Sequence, residues 1–221
     1  MIQRKAAKLP LNRDRILEAA KAIIDQDGVE GLSMRKLGAK LKVEAMTLYH
    51  YFASKDALLD VLVERIVLEA ATAPEAQSGN WQERLRGFTR HFYATLVASP
   101  RMLPLLATHP VRSTDAMAQF VAAIEGLVDE GFTPVEAYYI LNTLSLMALG
   151  HALAAVDHPA EKDNEADSAA QAAYFGYLAK LFEDPKALVE RHAQLFEFSL
   201  KMFLDGVALQ RKCAHRQTDP N

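Results

Sequence analysis

Four ring-bearing side chains stand in a row at positions 49–52, within the stretch TLYHYF, and lysines flank this stretch at positions 42 and 55. Four consecutive rings cannot all face one core on a helix or a strand, because neighbouring residues point in different directions. Leu48 and Phe52 are four residues apart, so they can share a buried helix face. The outward-facing residues are then Thr47, Tyr49, His50 and Tyr51.

The chemistry of this stretch suits contact with DNA. Ala45 and Met46 would open the helix and could make apolar contact with a thymine methyl group. The threonine hydroxyl can reach a base edge or a phosphate, and tyrosine hydroxyls can hold phosphates without reading sequence. Lys55 would lie in the first turn of the next helix, where free backbone N–H groups also favour a phosphate. Arg35 could reach the DNA backbone or a guanine, whereas His50 is either a DNA contact or a solvent-facing residue.

Short helices with clear start signals would position these residues. Apolar residues recur at helical spacing almost throughout the chain, which predicts an all-α fold. Asn12, Ser33 and Ser54 can each cap a helix, and Gly28 suits the left-handed end of the first one. A tight turn at Lys42 separates the second and third helices. This arrangement is the helix-turn-helix plan, and its predicted core is Leu37, Leu41, Val43, Leu48 and Phe52.

Charge is distributed unevenly along the chain. The net charge is −3, but residues 1–55 hold eleven Lys/Arg against six Asp/Glu, and the rest hold fourteen against twenty-two. A basic head on an acidic body suggests a polyanionic partner for the head, although a solvated charged surface fits the charge alone equally well. The single cysteine, Cys213, excludes an intrachain disulfide and a cysteine-clustered zinc site, and no activating environment is evident around it.

One uncharged segment, from 137 to 156, is about as long as a membrane span. Because it contains several polar residues, we expect a buried or subunit-contacting helix rather than a membrane helix. The N-terminus is basic but lacks the apolar region of a signal peptide, so we expect the protein in the cytosol.

Helical patterns continue beyond the first four helices. Asn80 can cap a helix that runs to about 98, and three prolines between 100 and 110 predict a broken region. Further helices are predicted over 115–130, 134–156 and 169–182, and a last one from near Pro185 to 209. The stretch between the second and third of these, 157–168, is polar and acidic.

The run ILEAAKAIIDQDGVEGLSMRKLGAKLKVEAMTLYHYFASKDALL, from Ile16 to Leu59, resembles the DNA-binding head of the TetR family of transcriptional repressors. The matching features are ILEAA, GxxGLS, RKLGxKL, TLYxYF and SKDALL, in that order. Weaker similarity continues in NWQERLRGF, LLATHP and LVDEGFTPVEAYYILNTLSLMALG, which look like the ligand-binding body of the tetracycline-repressor branch.

The resemblance implies an all-helical homodimer with a helix-turn-helix DNA-binding domain (1–55), a ligand-binding and dimerisation domain (56–210) and a flexible tail (211–221). Helices at about 134–156 and 186–209 would pair with their mates in a four-helix bundle, with Leu200 and His192 at the interface. A small molecule in the body would shift the fourth helix and release double-stranded DNA. The residues that match DNA-contacting positions are Arg35, Ala45, Met46, Thr47, Tyr49, His50, Tyr51 and Lys55.

The resemblance is incomplete at two places. The turn usually has glycine where this chain has Lys42, and the histidines that hold a magnesium–tetracycline chelate fall here on Leu105, Leu146 and Ala70. We therefore expect no metal, no cofactor and a hydrophobic or aromatic effector. His109 and His151 could contact that effector or be core groups. The candidate pocket residues are Trp81, Leu85, Phe88, Phe92, Met102, Leu105, Thr108, His109, Met117, Phe120, Leu146, Met147 and His151.

The functional prediction is a ligand-responsive transcriptional repressor that binds a near-palindromic operator as a homodimer. An enzyme is the rival class, but the sequence has no phosphate-binding glycine loop, no H-E-x-x-H pair and no nucleophile elbow. A DNA-binding regulator controlled by a protein partner, or one without a small-molecule inducer, is the remaining alternative.

Overall fold

The computed structural model describes residues 10–109, 111, 113–155, 176, 180 and 191–218. This part of the chain is all-α, as predicted. Its helices are α1 (Arg13–Asp27), α2 (Met34–Leu41), α3 (Ala45–Tyr49), α4 (Lys55–Thr72), α5 (Pro74–Gln77), α6 (Trp81–Ala98), α7 (Leu103–Thr108), α8 (Thr114–Asp129), α9 (Pro134–Ala155) and α10 (His192–Thr218), with a 3₁₀ turn at Pro100–Met102 before α7.

The predicted helix starts are confirmed by cap hydrogen bonds. Asn12 Oδ1 accepts from the N–H of Arg15 at 2.9 Å, and Ser33 Oγ accepts from the N–H three residues on at 3.2 Å. Ser54 Oγ accepts from the N–H of Ala57 at 3.0 Å. Asn80 and Glu83 form a reciprocal capping box, with N···O distances of 3.1 and 2.8 Å. These bonds satisfy N–H groups that the first helical turn leaves without backbone acceptors.

Two helix ends differ from the prediction. α3 ends at Tyr49, whereas the pattern predicted a helix through Phe52. α10 continues to Thr218, whereas the pattern predicted an end near Leu209 and a frayed tail. The sequence did not predict this end, because the last turns are polar in composition and so carry no apolar periodicity. The predicted acidic stretch 157–168, most of the helix 169–182 and the start of the last helix near 185 lie outside the described residues.

The chain divides into two compact units, one of residues 1–69 and 99–121 and one of residues 70–98 and 122–221. The core of the first unit is apolar and fully buried at Ile16, Ile24, Leu37, Leu48 and Leu58. Polar contacts attach the segment at 99–101 to α1. Lys21 Nζ donates to Ser99 Oγ at 2.6 Å, and the Arg101 guanidinium donates to the carbonyl of Gln26.

In the second unit α5 packs on α6, α6 on α9, and α9 on α10. Ring contacts hold these helices together: Trp81 meets Phe132 edge to face at 5.0 Å, and Tyr93 stacks on Phe196 at 3.9 Å between centroids. Arg90 makes a two-point ion pair with Glu197, at 2.7 and 2.5 Å. Among the described helices, none is both long and apolar enough to cross a membrane.

Candidate DNA-binding surface and effector pocket

A close approach of α2 and α3 creates the helix-turn-helix. A β-carbon at Gly38 would lie 2.8 Å from the carbonyl oxygen of Val43, so only glycine permits this packing. Lys42 ends α2 in the left-handed conformation, with φ 58°, as predicted for a lysine at a glycine position. The amide of Val43 then donates to the carbonyl of Gly38 at 2.9 Å, which closes the turn.

The side chains of α3 and of the three residues that follow it separate into an inner and an outer set. Leu48 and Phe52 are buried, with exposed fractions of 0 and 3 %, and Leu37 joins them, so three of the five predicted core residues are confirmed. Leu41 and Val43 are only half-buried. On the outside, Met46 is 69 % exposed and Tyr49 is 44 % exposed. Of the other predicted DNA contacts, Arg35 and His50 are exposed, and Ala45 and Thr47 are half-buried.

Tyr51 and Lys55 have partners inside the first unit. The Tyr51 hydroxyl donates its proton to the carbonyl of Leu11 at 2.9 Å, so in this conformation it is not available to donate to a phosphate. This corrects the expectation of an outward-facing Tyr51, which is half-buried. Lys55 Nζ donates to the carbonyl of Val29 at 3.1 Å and still has further N–H donors for a phosphate.

Arg13, which was not predicted from the sequence, supports the same region. Its guanidinium lies over the Phe52 ring at 4.5 Å from the centroid. Its Nη1 also donates to the carbonyl of Tyr51 at 2.8 Å. The two residues are 38 positions apart, so no local spacing signals this contact. Arg13 therefore fixes the chain where it leaves α3.

The predicted pocket residues are divided between the two units. In the second unit, Trp81, Leu85 and Phe92 are buried core residues, Phe88 is half-buried and stacks on Phe92 at 5.8 Å, and Met147 is half-buried. Leu146 is 68 % exposed, so within one chain it lines no enclosed pocket, contrary to the prediction. Periodicity could not reveal this, because α9 has apolar residues on two faces.

In the first unit the candidates range from buried to exposed. Met102 and Leu105 are buried, whereas Phe120 and His109 are half-buried. Met117 is 51 % exposed, and the exposed Thr108 donates to the carbonyl of Pro104 at 2.9 Å. Thr108 Oγ1 also lies 3.0 Å from His109 Nδ1. The prediction that Met117 and Thr108 line an enclosed pocket is not met within one chain.

One groove was not anticipated. A cavity of ≈ 680 Å³ in the second unit is open to solvent and is lined by residues of α5, of α6 and of the turn between them: Glu75, Ser78, Gly79, Glu83, Arg86, Gly87, Arg90 and His91. Its lining contains both carboxylates and guanidinium groups, unlike the apolar pocket that the sequence predicts, and none of these residues belongs to α9. In the part of the chain that the structure describes, no three His, Cys, Asp or Glu side chains are grouped as metal ligands.

The ring of His151 lies where α9 and α10 meet. It contacts Phe196 edge to face, with 5.7 Å between centroids. Burial, and secondly the charge of neighbouring His192, hold the pKa of His151 below its ordinary value of 6.5. The neutral imidazole is therefore the favoured form at this position, as for a histidine that packs on apolar groups.

A second apolar face of α9 and of α10 is exposed. On α9 it comprises Val135, Tyr138, Tyr139, Leu146 and Leu153, and on α10 it comprises Leu195, Phe198, Met202 and Leu209. These residues recur at helical spacing, so each set forms a stripe along its helix. Leu200, which we expected at a subunit interface, is instead 1 % exposed within one chain. It belongs to the inner face with Phe196 and Leu204.

Comparison with known proteins covers both halves of the chain. Residues 16–62 match the profile of bacterial regulatory proteins of the tetR family, and residues 73–211 match the tetracyclin repressor-like C-terminal domain. The HTH-type transcriptional repressor DrrR1 of Streptomyces coeruleorubidus is 33 % identical over 113 residues, which are 51 % of this chain and 42 % of that protein. The chain thus spans about half the length of curated relatives such as DrrR1.

Two further similarities cover a larger share of the matched protein. The tetracycline repressor protein class E of Escherichia coli is 31 % identical over 145 residues, 65 % of this chain and 68 % of that protein. The structure of Streptomyces coelicolor ActR in complex with (S)-DNPA is 25 % identical and superimposes with a TM-score of 0.67, covering 91 % of this chain and 98 % of ActR. These matches confirm the resemblance seen in the sequence. The chain belongs to the TetR family of bacterial regulatory proteins.

Proposed function

We propose that this protein is a cytosolic transcriptional repressor, which binds a near-palindromic operator as a homodimer and is released by a small apolar molecule. The observation that carries the proposal is the outer surface of α3. The helix is anchored from inside by Leu48, and by Phe52 just beyond its end, and it presents Met46 and Tyr49 to the outside, with His50 exposed directly after it. A short helix held in this way can enter the major groove of DNA.

The residue types on this surface suggest separate roles. Met46 and Thr47, near the start of α3, are placed to meet base edges and thymine methyl groups. Tyr49 and Lys55 are placed to hold phosphates, which fix the register of the protein on DNA. Arg35, which is exposed on α2, adds a second cation that can bind the DNA backbone or a guanine. The expectation for Tyr51 changes, because its hydroxyl is bonded to Leu11.

The test is selection of bound sequences from random DNA, followed by binding assays over a salt series. The dimer is expected to select two half-sites about one helical turn apart or slightly more, and to lose affinity steeply with salt. Lys55→Ala should weaken binding to all sequences about equally, and Met46→Ala or Thr47→Ala should change which bases are preferred. Salt-independent binding, or wild-type affinity and preference in all three variants, would exclude this surface as the DNA interface.

The homodimer rests on the exposed stripes of α9 and α10. Large apolar side chains such as Phe198 (62 % exposed) and Met202 (54 % exposed) stand at successive turns. A contiguous apolar surface of this kind marks an interaction site in a water-soluble protein. Because both helices are long and their stripes are apolar, a second copy of the same two helices would bury all four stripes in one bundle.

Phe198→Asp would place an unpaired charge in that interface and should give monomers, with specific DNA binding lost as well. Gln119→Asp is the matched control, since it adds the same charge at an exposed position of α8, away from the stripes of α9 and α10. Sedimentation velocity at micromolar concentration measures the outcome. A wild-type monomer, or a Phe198→Asp protein that remains dimeric, would refute this arrangement.

The effector proposal is supported by the leucine and alanine positions where chelate-binding histidines would be needed. Leu105 is buried and Ala70 is fully buried, and neither side chain can bind magnesium. A relative of similar fold, ActR, has a structure in complex with (S)-DNPA, which fits a body that holds small molecules. We therefore expect an apolar effector held by a few polar groups, with His109 and His151 as the candidates.

A thermal-shift screen against aromatic and hydrophobic compounds, with and without chelator, tests this step. A true effector should raise the melting temperature by mass action, keep that effect in chelator and release the selected operator. Magnesium-dependent binding of tetracycline would contradict the proposal. If no compound shifts the melting temperature and operator binding is intact, control by a protein partner becomes the better explanation.

A further inference from the structure

The segment that follows α3 is held in place by the start of α1. Tyr51, two residues beyond the end of α3, donates its hydroxyl proton to the carbonyl of Leu11 at 2.9 Å. Arg13 Nη1 donates to the carbonyl of Tyr51 at 2.8 Å, and the Arg13 guanidinium lies over the Phe52 ring at 4.5 Å from its centroid. The backbone at Tyr51 is therefore fixed by a distant part of the chain as well as by α3.

Arg13 is suited to this contact, because a guanidinium can stack on a ring and donate hydrogen bonds from its edge at the same time. Arg13 is exposed, whereas Leu48 and Phe52 are buried in the core of the first unit. Loss of an exposed side chain costs little global stability when the core beneath it stays intact. Arg13 can thus set the position of this segment without being needed for folding.

The residue most sensitive to this position is Tyr49, the last residue of α3. It is 44 % exposed, and only His50 separates it from Tyr51. A hydroxyl that binds a phosphate needs a donor–acceptor distance of roughly 2.5–3.0 Å, so a backbone shift of about an ångström is enough to break such a bond. Cations near the same surface would still attract DNA after that shift, because Coulomb attraction declines gradually with distance.

We propose that Arg13 is a positioning residue for DNA binding: it holds the backbone at Tyr51 so that the Tyr49 hydroxyl reaches a phosphate of the operator. Arg13 acts in this scheme through Tyr51 and makes no phosphate contact of its own. This inference rests on the proposed DNA-binding function and deepens it. Because contacts of this kind fix the register of the protein on its site, Arg13 should contribute to binding of the operator and little to binding of unrelated DNA.

The first experiment measures binding by fluorescence anisotropy, from low to moderate salt, on the operator selected by the wild type and on an unrelated duplex of the same length. Arg13→Ala should bind the operator roughly tenfold more weakly than the wild type. It should bind the unrelated duplex about as well as the wild type. The slope of log K against log salt should be unchanged, because the displaced tyrosine is neutral and only a lost cationic contact removes about 0.9 from that slope.

Arg101→Ala is the matched control. Arg101 is also exposed, and its guanidinium also donates to a backbone carbonyl, that of Gln26. Gln26 lies near the opposite end of α1, roughly 20 Å from Arg13 along the helix axis. The control therefore removes the same charge and the same kind of contact, and it should bind both duplexes like the wild type. Urea unfolding of both variants checks that the compared proteins are equally folded.

The outcomes separate this inference from the proposed function. If the wild type selects no DNA, the proposed function fails and the inference fails with it. If the wild type binds but Arg13→Ala loses affinity for both duplexes and about 0.9 of the salt slope, Arg13 binds a phosphate itself and the inference alone is overturned. Wild-type operator affinity in Arg13→Ala, or an equal loss in Arg101→Ala, also overturns it. Arg13→Lys should show part of the operator loss, because lysine lacks the planar group that stacks and donates together.

A double-mutant cycle tests whether Arg13 acts on Tyr49. Tyr49→Phe keeps the ring and removes the hydroxyl, so it should weaken operator binding in the wild-type background. It should have little effect in the Arg13→Ala background, where the hydroxyl is already displaced. In the Arg101→Ala background Tyr49→Phe should cost the same factor as in the wild type. If Tyr49→Phe costs that same factor in the Arg13→Ala background too, Arg13 does not position Tyr49 and the inference is refuted.

Discussion

The crossing of α5 and α6 leads to a sharp stability prediction for Gly87→Ala. A β-carbon at position 87 would lie 2.1 Å from the carbonyl oxygen of Glu75, 2.3 Å from its carbonyl carbon and 2.9 Å from the amide nitrogen of Ala76. All three atoms belong to the backbone of α5, so no side-chain rotation relieves the clash. α5 has to move away from α6 by roughly an ångström or more, to recover ordinary contact distances of about 3.5–4 Å.

Overpacking of this kind costs about 1–3 kcal/mol, and backbone obstruction puts Gly87→Ala near the upper value. For a chain of this size each kcal/mol corresponds to a fall in Tm of roughly 2–4 °C, so we expect a loss of about 6–12 °C. Gly126→Ala is the matched control, since a β-carbon there meets nothing within 4 Å. Alanine in that open helical position should stabilise the protein by about 0.5–1 kcal/mol.

Thermal and urea unfolding at one fixed protein concentration measure both variants, because association would make Tm depend on concentration. The two substitutions add the same methyl group and should change stability in opposite directions. A Gly87→Ala protein as stable as the wild type would show that α5 does not approach α6 as described. A loss of similar size in Gly126→Ala would show that position 126 is covered by something outside the single chain.

Three further predictions follow from local chemistry. Asn80→Ala removes half of the capping box at the start of α6 and should cost about 1 kcal/mol in urea unfolding, whereas Asn80→Ser should cost less. Lys42→Gly relieves a left-handed conformation that costs roughly 1 kcal/mol for other residues, and its unfolding midpoint should rise. Because the pKa of His151 is lowered by burial and by His192, the unfolded chain takes up a proton more readily below about pH 6.5. Wild-type stability should therefore fall as the pH drops through this range, and His151→Gln should show a smaller fall between pH 7.5 and 5.5.

Features set by neighbouring residues could be predicted from the sequence. The caps at Asn12, Ser33, Ser54 and Asn80 and the left-handed Lys42 depend only on a few residues of local chain, and all are confirmed. The prediction that Leu48 and Phe52 are buried was also correct, because it depends only on their separation of four residues, although Phe52 lies three residues beyond the end of α3.

Features that depend on distant partners could not be predicted. The contact of Arg13 with Tyr51 joins residues 38 apart, and no periodicity encodes it.

The prediction that Leu200 lies at a subunit interface was wrong for a different reason. α10 is apolar on two faces, and spacing alone does not say which face is covered by the same chain and which by a second copy. The structure assigns Phe196, Leu200 and Leu204 to the inner face and leaves Phe198 and Met202 outside.

Regulation requires that the effector favour a state which binds DNA poorly, and the first unit contains contacts through which α4 could take part. Lys55, at the start of α4, donates to the carbonyl of Val29. Further along, Arg65 pairs with Glu18 of α1 at 2.7 Å.

Glu64, adjacent to Arg65 on α4, is 7 % exposed and accepts the amide proton of Ser113, just before α8, at 2.6 Å. A movement of the chain at 113 would have to carry Glu64 with it or weaken the bond to a buried carboxylate, and the second outcome is costly. Displacement of α4 is therefore the less expensive response, and it would reach the residues that hold the helix-turn-helix.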